Sequence, residues 1–174
     1  MNIPEPQNLP TLCGERVRLR PPVERDKEDR LADGRDPEFR RMVGGDPADC
    51  SPLTMPEVER WYEQLCRAPL HWVIEAEGRS IGVARLLAPD RTNRRARYAV
   101  GIFSPEFRGR GYGTEATRLV LRCAFEGLGF HRTRAARPRF QRPRHRLLPE
   151  VRLRRGGARA RQCVNRRRMA GAMC

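Results

Sequence analysis

The sequence predicts a single α/β (α+β) domain in which a largely antiparallel sheet is flanked by helices. Three strand-like segments follow one another between residues 71 and 103. Helical patterns with one apolar face lie before and after them, and a glycine-rich turn joins the last of these strands to the second helix. The length of 174 residues suits one domain with one hydrophobic core.

The N-terminal part predicts one strand and two short helices. Residues 1–12 form a polar, proline-rich arm. The segment Glu15–Arg20 alternates charged with apolar residues, as a half-buried strand does, and Pro21 ends it. Residues 24–42 contain two short helical stretches.

A stronger helix signal begins at Thr54. Thr54 can cap the helix, Pro56 suits its first turn and Glu57 completes a capping box. Apolar side chains then recur at helical spacing until Pro69, which ends the helix.

Three strands and one tight turn follow this helix. His71–Ala76 and Ser80–Leu87 read as two strands, and the intervening Glu77–Arg79 predicts a hairpin turn. A polar loop at Pro89–Arg94 separates them from a third strand at Arg97–Phe103.

A glycine-rich segment between this third strand and the next helix carries the chemistry. Alternating glycines let backbone N–H groups converge on one point, and the start of the helix, predicted over 114–127, adds free N–H groups and the positive end of its dipole. Two arginines add positive charge, so the segment suits a pyrophosphate. The spacing is neither that of a dinucleotide fold nor that of a P-loop NTPase. The residues are Arg108, Gly109, Arg110, Gly111 and Gly113.

The pattern Arg108-x-x-Gly111-x-Gly113 matches the R/Q-x-x-G-x-G/A acetyl-CoA motif of the GNAT superfamily of N-acetyltransferases. Residues 11–132 resemble this superfamily, and in particular the branch that contains the ribosomal-protein N-terminal acetyltransferases. The resemblance implies a mixed sheet and transfer of an acetyl group from acetyl-CoA to a primary amine. The acceptor would be a protein N-terminus or a small-molecule amine.

The resemblance also implies an acetyl-CoA site of ten residues. The first three would offer backbone groups to the pantetheine arm, and the others would surround the pyrophosphate. They are Gly101, Ile102, Phe103, Arg108, Gly109, Arg110, Gly111, Tyr112, Gly113 and Thr114. Glu75 and Glu106 are conceivable bases and Tyr98 a conceivable acid, but the sequence assigns no catalytic residue.

The C-terminal part departs from the family pattern. Residues 1–130 contain 21 Lys and Arg against 20 Asp and Glu, whereas residues 131–174 contain 15 Arg, no Lys and one acid, Glu150. The family's CoA-contacting Asn is missing near Gln141, and no Tyr follows Tyr112. We therefore predict a GNAT-like domain over 11–132 and a disordered Arg-rich tail over 133–174.

A one-base slip of the reading frame near Thr133 offers one explanation for this break. The codons permitted in the shifted frame include LELRVLDFNARAIACYRKCGFVEEG, which resembles the missing family segment. Resequencing the DNA across the codons for residues 125–140 tests this hypothesis. The alternatives to an active acetyltransferase are an inactive frameshifted product and a protein that binds nucleic acid through the tail.

Other features limit the partners and the location. No apolar run is long enough to span a membrane, and the N-terminus does not resemble a signal peptide, so we expect a cytoplasmic protein without a membrane partner. The six cysteines form no C-x-x-C pair and only three histidines are present, so no metal is expected.

Overall fold

A computed structural model describes residues 4–43, 45, 46, 48 and 51–135. Within them, strands and α-helices follow one another as β1 (Leu12–Cys13), β2 (Arg18–Arg20), α1 (Asp26–Asp33), α2 (Pro37–Val43), α3 (Met55–Arg67), β3 (His71–Ala76), β4 (Arg79–Asp90), β5 (Arg95–Ile102), α4 (Tyr112–Arg122) and β6 (Arg132–Ala135). A single 3-10 turn at Pro105–Phe107 precedes α4, and a π-helical turn at Cys123–Gly127 follows it.

The strands form one sheet in the order of the sequence, β1-β2-β3-β4-β5-β6. All neighbours are antiparallel except β5 and β6, which are parallel because α4 lies between them in the chain. The predicted α/β architecture, with a mixed and largely antiparallel sheet flanked by helices, is confirmed.

Two strands differ from the sequence prediction. The segment predicted as one strand over 15–20 is the second arm of a short hairpin, whose first arm, β1, includes the end of the predicted N-terminal arm. Strand β6 crosses the boundary predicted at residue 132, so residues 133–135 belong to the sheet and not to a tail. The predictions for 136–174 concern residues outside the described part of the chain.

The elements predicted from local signals are confirmed, with small shifts of their ends. Helix α3 begins with the expected capping box, in which the Thr54 N–H donates to Glu57 Oε2 at 3.0 Å. Glu77 and Gly78 both have positive φ, as the hairpin turn between β3 and β4 requires. Strand β4 runs on to Asp90, into the predicted loop.

Helices cover both faces of the sheet. On one face, called here the α4 face, Trp72, Ala84 and Tyr98 pack in one buried cluster with Ala116 and Val120 of α4. The opposite face, called the α3 face, is covered by a smaller cluster whose members are Leu65, Val73, Val83, Phe103, Phe39 and Trp61. Strand β5 lies between these layers, so its end is held on both sides.

Candidate functional site

Within the described residues, strands β5 and β6 share four residue pairs, from Arg95–Arg132 to Tyr98–Ala135. Strand β5 continues to Ile102, and its pairing with β4 continues with it. Among the described residues, the last four residues of β5 therefore have a strand neighbour on the β4 side alone. A sheet edge of this kind presents backbone N–H and C=O groups to a ligand.

The register decides which backbone groups point to this edge. The Phe103 N–H donates to the Ile81 carbonyl at 2.8 Å, so Phe103 belongs to a hydrogen-bonded pair with β4. Because such pairs alternate along an antiparallel ladder, the N–H and C=O of Gly101 point towards β4, and those of Val100 and Ile102 point to the open edge. Val100 cannot be selected from the sequence alone, because the register that turns its backbone groups to this edge is set by pairing with β4.

The loop after β5 has the backbone conformation that its glycines allow. Gly109 and Gly111 have φ of 72° and 88°, in the left-handed region that favours glycine. Gly111 is the N-cap of α4, and Gly113 lies in its first turn. A Cβ at Gly113 would lie 3.8 Å from the Ile102 side chain, so the loop lies against the open end of β5.

The start of α4 supplies unpaired backbone donors. The N–H groups of Gly111, Tyr112, Gly113 and Thr114 precede the first i to i−4 bond of the helix, which runs from Glu115 to Gly111 at 3.0 Å. These N–H groups and the positive end of the helix dipole are suited to bind an anion.

The Arg108 side chain binds protein groups. Its Nε donates to the Ile102 carbonyl at 3.1 Å and its Nη2 to the Phe103 carbonyl at 2.7 Å. Its Nη1 donates to Asp36 Oδ1 at 2.6 Å, and the guanidinium is 17% exposed. The sequence predicts this charge beside a pyrophosphate, whereas in the structure the guanidinium holds the end of β5 and the start of α2.

Arg110 and Tyr112 both meet the hairpin turn between β3 and β4. The Tyr112 hydroxyl donates to Glu77 Oε1 at 2.6 Å, which anchors the first turn of α4. Arg110 reaches the same carboxylate at only 3.4 Å and is 52% exposed, so its charge stays accessible at the loop. On the side of Gly111, the Arg16 Nη1 donates to the Arg110 carbonyl at 3.0 Å.

Glu115 is a further residue at this site that sequence reasoning missed. Burial raises its pKa, but the backbone N–H groups of Arg16, Glu15 and Val17 bind the carboxylate and hold the pKa below its usual value. The acid in the first turn of α4 thus fixes the β1–β2 turn beside the loop. A helix-start glutamate is a common surface residue, so its sequence position alone gave no sign of this contact.

Gly101 and Phe103 shape the α3 face of the site. A Cβ at Gly101 would lie 2.9 Å from the Phe39 ring, so glycine is needed for this ring to pack on β5. Phe103 forms edge-to-face contacts with Phe39 and Trp61, with ring centroids 5.1 and 5.8 Å apart.

None of the three side chains considered for proton transfer is a free base or acid. Burial raises the pKa of Glu75, but its ion pairs with Arg20 and Arg18 together lower the pKa by more, so that it lies below its usual value. Glu106 is exposed and paired with Arg79 at 2.9 Å. Tyr98 is buried on the α4 face, where burial raises its pKa and its hydroxyl is 2.9 Å from the Thr117 hydroxyl.

No group of three or more His, Cys, Asp or Glu side chains in residues 4–43, 45, 46, 48 and 51–135 is arranged to hold a metal ion. No helix in that part of the chain has the length and apolar character needed to cross a membrane.

Comparison with known proteins completes the description. The family model for the acetyltransferase (GNAT) domain matches residues 16–137. No protein of curated function matches the sequence. A solved structure of an acetyltransferase from T. thermophilus is 24% identical and has a TM-score of 0.62, and the alignment covers 78% of this chain and 68% of that chain.

Two further solved structures share the fold. A GCN5-related N-acetyltransferase from Brucella melitensis is 21% identical, with a TM-score of 0.59 over 76% of this chain and 62% of that chain. A spermidine N-acetyltransferase from Vibrio cholerae, in complex with CoA and spermine, is 19% identical, with a TM-score of 0.53 over 69% of this chain and 70% of that chain.

Proposed function

Because the chain belongs to the GNAT family of acetyl-CoA-dependent N-acetyltransferases, we propose that acetyl-CoA binds between the open edge of β5 and the loop at the start of α4. The observation that carries this proposal is the convergence of the two features. The backbone groups of Val100 and the N–H of Ile102 point to the open edge, beside the unpaired N–H groups that begin at Gly111.

Each part of the site has a role in this proposal. The N–H groups of Gly109 to Thr114 bind the pyrophosphate, and Arg110 supplies a positive charge beside them. The pantetheine arm runs along β5 as an added strand and bonds to the backbone groups of Val100 and to the N–H of Ile102. Gly101, Phe103 and Arg108 contribute by shaping and holding β5, since their polar groups point to β4 or bind one another.

The residues present fit acetyl transfer by direct attack. The acceptor ammonium loses one proton to water, and the neutral nitrogen then forms a bond to the thioester carbonyl carbon, which gives a tetrahedral intermediate. The nitrogen loses its second proton to water as this intermediate collapses and the carbon–sulfur bond breaks. Backbone N–H groups that face the edge of β5 stabilise the negative charge that develops on the carbonyl oxygen. The leaving thiolate takes up a proton from solvent.

We propose a primary amine as the acceptor, with a protein N-terminus as its first candidate. The resemblance of residues 11–132 to ribosomal-protein N-terminal acetyltransferases favours that class. A polyamine is the other candidate, since the Vibrio cholerae neighbour is a spermidine N-acetyltransferase.

Calorimetric titration of the full chain with acetyl-CoA tests the site, at a salt concentration that suppresses binding to the Arg-rich segment. Gly111→Ala and Gly129→Ala form a matched pair, since both glycines have positive φ, of 88° and 69°. Each change costs about 1–2 kcal/mol of backbone strain, but Gly111 alone lies in the proposed site. We expect acetyl-CoA affinity to fall at least tenfold in Gly111→Ala and to stay near the parent value in Gly129→Ala.

Two results contradict the proposal. One is the absence of saturable acetyl-CoA binding to the folded parent chain. The other is an equal loss of affinity in both variants, which would trace the effect to stability and not to the site.

A further inference from the structure

Arg85 lies on the α3 face of the sheet, next to the open part of β5. It pairs with Ala99 on β5 and with His71 on β3. Its neighbours along β4, Ala84 and Leu86, are buried in the cluster under α4. Because successive side chains of a strand point to opposite faces, the Arg85 side chain projects from the α3 face.

This guanidinium has no counter-charge among the described residues. No ion pair or hydrogen bond involves it there, and its Nε is a buried donor without an acceptor. Burial lowers the pKa of Arg85, and no neighbouring acid opposes this effect. A partly buried arginine normally has a carboxylate or carbonyl partner, so an unpaired one is well suited to receive an anion.

The part of this face beside β6 is also positive. Arg97 alternates with the buried Ala96 and Tyr98, so it shares the α3 face with Arg85. Arg134 pairs with Arg97 across β5 and β6, and both are exposed. Neither forms an ion pair within the part of the chain that the structure describes.

The position of Arg85 relates it to the proposed transfer site. The pyrophosphate loop lies beside Ile102, so a pantetheine arm along β5 extends from there towards Ala99, where β6 joins the sheet. The acetyl group is then expected near Ala99. Adjacent strands are about 4.8 Å apart, so Arg85 lies one strand away, within reach of a substituent on the acceptor.

We propose that Arg85 binds an anionic group of the acceptor, so that the preferred substrate is an amine with a carboxylate close to it, such as a protein N-terminus with an acidic residue at its second position. This inference rests on the proposed function, and it specifies the acceptor that the acetyl-CoA site alone leaves open. Arg97 and Arg134 add a field that draws acidic acceptors to this face.

Two short peptides with a free N-terminus test the proposal. They differ only in Glu or Gln at the second position, so their size and shape match. We expect kcat/KM of the full chain to be on the order of ten- to a hundredfold higher for the Glu peptide, as for a charged hydrogen bond that the amide cannot replace. The ratio of kcat/KM for the Glu peptide to that for the Gln peptide should fall towards one in Arg85→Gln. It should stay above one in Arg85→Lys, which retains the charge.

Arg118→Gln is the matched control, because Arg118 is an exposed arginine of α4 on the opposite face. It removes the same charge and should leave the Glu-to-Gln ratio unchanged. A parent ratio near one, or a ratio that Arg85→Gln does not change, overturns the inference.

The failure of the proposed function can be separated from the failure of this inference. Acetyl-CoA binding is measured independently by calorimetry. If the folded chain does not bind acetyl-CoA, this result counts against the proposed acetyl-CoA site and not against the role of Arg85. Direct binding of the two peptides to the CoA-loaded chain gives a readout that does not depend on turnover. Equal affinities for the Glu and Gln peptides there overturn the role of Arg85.

Discussion

His71 illustrates at the residue scale how an unpaired cation affects its neighbours. It lies directly opposite Arg85 in the register of β3 and β4. Burial lowers the pKa of His71 to about 4, and the positive charge of Arg85 contributes in the same direction. The folded protein therefore holds this imidazole neutral at pH values where a free histidine is protonated.

This pKa predicts a loss of stability in mild acid. Below about pH 6.5 the unfolded chain takes up a proton at His71, whereas the folded chain does so only near pH 4. The free energy of unfolding should therefore fall as pH falls, by at most about 1.4 kcal/mol per pH unit. Urea unfolding at pH values from 7 to 5 measures the slope.

The histidine variants separate this contribution from that of the carboxylates. His71→Gln should flatten the slope between about pH 6.5 and 5. His131→Gln replaces an exposed histidine outside the sheet core and serves as the comparison variant. A slope that both variants share with the parent would show that His71 does not cause it.

At the scale of elements, single ion pairs fix the helices to the strands that form the site. Asp36 at the start of α2 and Arg108 after β5 form the clearest case, because Arg108 also binds two carbonyls at the end of β5. Its guanidinium therefore joins the α1–α2 connection to the edge that we propose for acetyl-CoA.

A double-mutant cycle tests this connection. Asp36→Asn and Arg108→Gln should each lower the free energy of unfolding by about 1–3 kcal/mol, since each leaves a partly buried group unpaired. The two losses should be less than additive, with a coupling of about 0.5–3 kcal/mol. Glu38→Gln is the control: this acid is 3.8 Å from Arg108 but 74% exposed, so a change within about 0.5 kcal/mol is expected. Full additivity would contradict the connection.

A second ion pair fixes α1 to β2. The Asp26 carboxylate is fully buried and accepts hydrogen bonds from Arg20 Nη1 and Nη2 at 2.9 and 2.7 Å. Asp26→Ala leaves the buried Arg20 with Glu75 as its one carboxylate partner among the described residues, so we expect a loss of about 3–5 kcal/mol in chemical unfolding. Glu24→Ala removes an acid that is 74% exposed nearby and should cost less than about 0.5 kcal/mol. Equal losses in the two variants would be inconsistent with this role of Asp26.

At the scale of the whole molecule, charge is divided unevenly along the chain. Residues 1–84 contain 12 Lys and Arg and 16 Asp and Glu, whereas residues 85–174 contain 24 Arg and 5 acids. The excess begins within the sheet, on β4 to β6, and not only after it. This distribution favours acidic partners over basic ones such as polyamines.

The same excess predicts binding of RNA that is separate from acetyl transfer. The full chain should bind a single-stranded RNA at about 50 mM salt, and log K should fall linearly and steeply with the logarithm of salt concentration. Saturating acetyl-CoA should not displace the RNA if the arginines after residue 135 carry the binding. Fluorescence anisotropy of a labelled oligonucleotide measures both effects, and displacement by acetyl-CoA would mean that the two ligands share a site.

The sequence predicted those features that depend on neighbouring residues. The capping box at Thr54 and Glu57, the turn at Glu77–Gly78 and the glycine loop before α4 all follow from local backbone chemistry. Features that depend on distant partners were missed. The two residues of β1 form a strand only because β2 lies beside them, and Arg108 has long-range partners that no spacing indicates.

The sheet order also predicts a sequence of folding events. The antiparallel pairs β3–β4 and β4–β5 join strands that short turns connect. The parallel pair of β5 and β6 instead closes a loop through residues 103–131, which costs more chain entropy. We therefore expect β6 to dock late, after α4 has packed. The open edge of β5, which begins where the pairing with β6 ends, would then be defined after the antiparallel strands have formed. Acetyl-CoA binding should therefore lag behind the burial of Trp72 during refolding.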